Sequence, residues 1–117
     1  MGAMIPPHWT PHRRRRDEEL VGYLVEDGDA VVPLTLFGYP LADPGDPADA
    51  KVLLESTGLS VLAEPWRLEL EDGQVVRVKI REVSPDRVVV VTDDFGYGGD
   101  LSDAWVLDVP EGGRLTR

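Results

Sequence analysis

Trp66-Arg67-Leu68-Glu69-Leu70-Glu71-Asp72-Gly73-Gln74-Val75-Val76-Arg77-Val78-Lys79-Ile80 decides the fold. Trp66, Leu68 and Leu70 alternate with charged residues, and after the Asp72-Gly73 pair Val76, Val78 and Ile80 do the same. A period of two is that of a strand with one face buried. The two runs therefore form an antiparallel hairpin, and its register can be argued. A two-residue loop at Asp72-Gly73 sets Leu68 opposite Arg77 and mixes the faces. A three-residue loop, Glu71-Asp72-Gly73, sets Leu68 opposite Val76 and Trp66 opposite Val78, which keeps one face apolar. The spacing predicts a type I turn with Gly73 left-handed and a bulge.

Downstream, Ser84-Pro85-Asp86 places proline at its favoured turn position, and Val88-Val89-Val90-Val91 follows. Four valines without alternation predict a central strand covered on both faces. A last strand is expected from Ala104 to Val109, and the tail from Pro110 is expected to fray.

Upstream, Leu20–Val25 and Ala30–Phe37 flank Glu26-Asp27-Gly28-Asp29, a second hairpin in which Pro33 marks an edge strand. A proline- and glycine-rich loop covers residues 38–47. One helix is expected from about Ala48 to Thr57: Asp46 caps it, Pro47 suits its first position, and Ala50, Leu53, Leu54 and Thr57 form its buried stripe. Gly58 is read as a left-handed stop, with Leu59 packing back on Leu54. Aligned on Phe37-Gly38-Tyr39 and Phe95-Gly96-Tyr97, Val25–Tyr39 and Val83–Tyr97 share six residues, which as an internal repeat would make a pseudo-twofold roll.

The fold class expected is α+β: a largely antiparallel, strongly bent sheet or partial barrel of five to six strands, with one short helix packed on it. Residues 1–19 are read as an extended basic arm, 20–109 as a single domain and 110–117 as a C-terminal tail.

The charge is divided unevenly. Arg13, Arg14, Arg15 and Arg16 are four of twelve basic residues in a chain with twenty-two acidic ones and a net charge of −10. That balance opposes broad nucleic-acid binding, whose affinity comes from neutralising phosphates, and leaves only the arm for it. The chain has no cysteine, which removes disulfides and thiolate chemistry. No apolar run reaches a membrane span, and residues 1–16 lack the apolar centre of a signal peptide, so a cytoplasmic location without membrane contact is expected.

Catalytic machinery is hard to assemble from these residues. The two histidines, His8 and His12, both lie in the arm, where Pro11 breaks the helix that their spacing would need to hold a metal. Four serines lack a histidine in the body as base. Asp93 and Asp94 open a loop with four carboxylates and three glycines, but its spacing is not that of a calcium loop. No catalytic residue, metal or cofactor is expected.

The leading expectation is a non-catalytic protein-interaction or regulatory module whose partner is a second copy or another protein. Trp9, Arg13, Arg14, Arg15 and Arg16 are its candidate contact residues, because fork-shaped guanidinium groups match carboxylates. One alternative is a small-molecule-binding roll, which could be an enzyme using carboxylates and loop tyrosines, with Tyr39, Tyr97, Trp105, Asp93 and Asp94 at its ligand site or interface. The other is nucleic-acid contact through the arm, with Trp9 stacking on a base.

Overall fold

The structure, a computed structural model, describes residues 5–93, 103–110 and 113–117. Two antiparallel sheets and one helix make an α+β roll. Strands β1 (Thr10–Arg13), β2 (Leu20–Asp27) and β3 (Ala30–Leu34) form the first sheet in that order. Helix α1 (Pro47–Thr57) packs on β2 and β3, and a 3-10 turn at Ser60–Ala63 leads into the second sheet. That sheet comprises β4 (Trp66–Glu69), β5 (Val75–Val83), β6 (Arg87–Thr92), β7 (Ala104–Asp108) and β8 (Leu115–Thr116) in the order β7-β6-β5-β4-β8. It curls into a half-barrel.

The central hairpin has the register its alternation requires: Trp66 lies opposite Val78 and Leu68 opposite Val76. Leu70 N donates to Gln74 O at 2.7 Å, Gly73 N donates to Leu70 O at 2.9 Å, and Gly73 is left-handed at φ 87. The three-residue loop follows from keeping Trp66, Leu68, Val76 and Val78 on one face, where all four are fully buried. In β6, Val88, Val89 and Val90 are all buried, and the strand is hydrogen-bonded on both sides. Pro33 sits on β3, an edge, where its missing N–H leaves no ladder bond broken.

Four expectations are corrected. The arm is not simply extended ahead of the domain: Thr10–Arg13 pairs with β2, with Pro11 opposite Tyr23. This works because β1 is an edge strand, so a proline and polar residues are tolerated there. The end of the tail is ordered as β8. Leu115 is fully buried and pairs with Leu68 on the free side of β4. Gly58 is right-handed (φ −57, ψ −37). A Cβ there would lie 2.3 Å from Val21 O and 2.6 Å from Leu54 O, so the missing side chain serves close helix–strand approach instead of a turn. Finally, the conditional repeat is not carried by the described residues, and its Phe95-Gly96-Tyr97 lies outside them. Val25 pairs with Val32, but the aligned Val83 pairs with Val88 and not Val90, and the two hairpins belong to different sheets.

Phe37 and Tyr39, in the loop after β3, plug the half-barrel by meeting Trp66 edge-on, each with ring centroids 5.0 Å away. Buried Thr35 shapes that loop: its hydroxyl accepts from Tyr39 N at 3.0 Å and its backbone N donates to Tyr39 O at 2.9 Å.

Candidate functional site

The arm is docked on its own chain. The Trp9 ring lies over Gly38 so closely that a Cβ there would fall 2.6 Å from its edge, and it tilts against Tyr23 with centroids 5.4 Å apart. Gly38 is also left-handed, at φ 94, so two requirements keep it glycine. Trp9 is thus half-buried packing within the fold.

Beyond β1 the arginines reach the C-terminal end of α1. That end favours positive charge, and α1 has no basic residue in its last turn. Glu55 is the clamp: its carboxylate accepts from Arg15 N at 3.1 Å and lies 3.3 Å from His12 Nε2. The Arg15 amide, and then His12, hold the Glu55 carboxyl below its ordinary value. Arg14 grips Asp17 with two nitrogens, Nε to Oδ1 at 3.0 Å and Nη2 to Oδ2 at 2.7 Å. This fork, with the Glu19 amide, pulls the Asp17 pKa down to about 2 and raises that of Arg14. Arg13 Nη1 donates to Glu18 O.

The side chains of Arg15 and Arg16 form no ion pair among the described residues. They line, with Arg14, Glu55, Ser56 and Leu59, a groove of about 550 Å³. Chemically it can take carboxylates, since the guanidinium groups of Arg15 and Arg16 line it.

The other candidate residues do not converge. Tyr39 is committed to Trp66, although it also borders a shallow groove with Pro40, Leu41 and Asp43. Trp105 packs on the half-barrel core and lines a separate groove of about 480 Å³ with Leu70, Leu107, Glu71, Asp72 and Arg114. That groove has an apolar wall and charges of both signs, the general make-up of a ligand site. Asp93 closes the end of β6: its carbonyl accepts from Arg77 Nε at 3.0 Å and Nη2 at 2.8 Å. Asp94 and Tyr97 lie outside the described residues.

Among the described residues no three histidine, aspartate or glutamate side chains gather as a metal-ligand set, and no helix is long and apolar enough to cross a membrane. Ser84 donates its hydroxyl to Asp86 Oδ1 at 2.7 Å, which lowers the Asp86 pKa, but this pair serves the β5–β6 turn. Sequence reasoning left two residues out of the candidate site. Glu55 carries no motif, since only folding brings it to the arm forty residues away. Tyr23 stands in an alternating strand like any core aromatic, yet it lines a cleft between the sheets.

Neither a protein-family model, nor a curated protein, nor a solved structure matches this chain.

Proposed function

We propose that this protein is a non-catalytic protein-interaction or regulatory module that grips an acidic protein surface with the arginine groove at the end of α1, a second copy of the chain being the favoured partner. The observation that carries this reading is the pair Arg15 and Arg16, without ion pairs among the described residues on a chain of net charge −10. The opposite end of α1 carries exposed Asp43, Asp46 and Asp49, and Val52 at its midpoint is 65% exposed. Two α1 helices laid antiparallel would bring each arginine groove to the other's acidic end, with Val52 between them. Such charge pairing steers and orients association more than it strengthens it.

The arm cannot simply be removed to test this, because β1 and Trp9 belong to the fold. The double variant Arg15→Glu/Arg16→Glu leaves both in place. Light scattering after size exclusion should give a dimer for the natural chain at low salt, and a monomer for the variant and at high salt. A mass that neither salt nor the variant changes would overturn the reading. Nucleic-acid contact through the arm is the weaker reading, since Trp9 is occupied by Gly38 and Tyr23.

A further inference from the structure

The second sheet meets the first at a cleft of about 170 Å³, walled by Leu20 and Leu36 on one side and by Val83 and Pro85 on the other. Tyr23 forms part of its lining. We propose that this cleft binds a small uncharged molecule of about one ring, held by a hydrogen bond from the Tyr23 hydroxyl to a carbonyl-type acceptor.

Tyr23 is only 4% exposed, and its hydroxyl has no hydrogen-bond partner among the described residues. No unbonded polar side-chain atom is sealed inside the described structure, so that hydroxyl keeps an opening to the surface, and the cleft is the opening Tyr23 lines. The ring is thus enclosed while the hydroxyl stays reachable, which leaves it a donor that a ligand in the cleft can take. Burial also raises its pKa, which keeps it a neutral donor. The other hydroxyl in the lining, Ser84, already donates to Asp86, so it offers a ligand only lone pairs.

Size and charge narrow the class. A cavity of about 150 Å³ lined by apolar side chains accommodates benzene, so this cleft suits one six-membered ring. Arg13 acts on the Tyr23 phenol with a positive charge, while the Glu19 carboxylate stands in the lining with a negative one. Charges of both signs near the site favour neither anion nor cation, and an uncharged ligand avoids both desolvation costs. Tyr23 is held for this role by the arm, through the Trp9 ring and the pairing of Pro11 opposite it on β1. The ligand would touch both sheets, so its binding would tie them together.

The test is a titration of the full chain with cyclohexanone, followed by backbone amide shifts in NMR, with cyclohexane as the ring lacking an acceptor. Saturable shifts are expected on both walls, at Leu20, Tyr23 and Leu36 and at Val83 and Ser84. Tyr23→Phe keeps the ring and its contact with Trp9, and should weaken cyclohexanone about tenfold while leaving cyclohexane unchanged. Arg15→Glu/Arg16→Glu should bind cyclohexanone like the natural chain, which separates this site from the arginine groove. Absent or scattered shifts, or equal binding of cyclohexanone by Tyr23→Phe, would overturn the proposal.

Discussion

Among the described residues, the curled sheet of β4–β8 closes on a cluster of eleven buried residues that includes Trp66, Phe37 and Leu68, whereas the layer of β1–β3 and α1 closes on a cluster of four: Val21, Leu24, Ala50 and Leu54. The first is carried by apolar area, with the Trp66 indole further satisfied by Val61 O at 2.8 Å. The second has too little area for that. It relies on shape, since Gly22 and Gly58 let backbone and helix touch, and on polar clamps, since Glu55 ties His12 and Arg15 to α1. An isolated helix of eleven residues is marginal in water, so α1 exists because that layer holds it. The contrast teaches that the protein pairs a large core with a lighter layer, and both proposed sites involve the lighter one.

The strongest way to break this contrast is at Trp66. Trp66→Ala should cost about 3–5 kcal/mol and shift the urea midpoint of the whole molecule, because it empties the centre of the half-barrel and removes the indole bond to Val61 O. A loss below about 1 kcal/mol would mean that the half-barrel does not carry the fold.

Gly58→Ala is the next test. Its Cβ would collide with Val21 O and Leu54 O, forcing α1 off β2 at a cost of about 1–3 kcal/mol. Amide exchange should quicken in α1 and β2 while β5 and β6 keep their protection. Equal acceleration in both layers would show one cooperative unit and erase the distinction.

The smallest effect is the pH dependence of the arm. Glu55 and Asp17 both have lowered pKa values in the folded protein, so their contribution is present above their ordinary values of 4.5 and 3.8 and is lost as pH falls through the folded ones. For Asp17 the loss extends down to about 2. Exchange at the Thr10–Arg13 amides should therefore rise, relative to β6, as pH falls from about 5 toward 2. Unchanged relative protection across that range would show that the arm is held by Trp9 and the β1–β2 pairing without the carboxylates.

The half-barrel was the legible part of this chain. Alternation in Trp66–Ile80 leaves one register that keeps arginine off the apolar face, and Asp46-Pro47 marks the helix start with an observed bond from Ala48 N to Asp46 Oδ1 at 2.8 Å. The lighter layer was not legible. In β1 a proline and charged residues hide the strand, because an edge strand needs neither a full set of donors nor a buried face. Two residues are too few for β8 to show a period, although Leu115 is fully buried. Of the candidate site, the sequence pointed to Arg13–Arg16 by their clustering, but Glu55 and Tyr23 carry no local signature.

The sequence by itself determined the α+β class, the hairpins at Gly28 and Gly73, the helix start and the uneven distribution of charge, because each depends on residues a few positions apart whose geometry the backbone transmits directly. Only the tertiary structure decided where Trp9 docks, that the tail closes the sheet, why position 58 needs glycine, and that Arg15 and Arg16 form no ion pair among the described residues. Those depend on which surfaces meet, and the free energy of a contact between residues forty positions apart leaves no periodic mark in the chain that makes it.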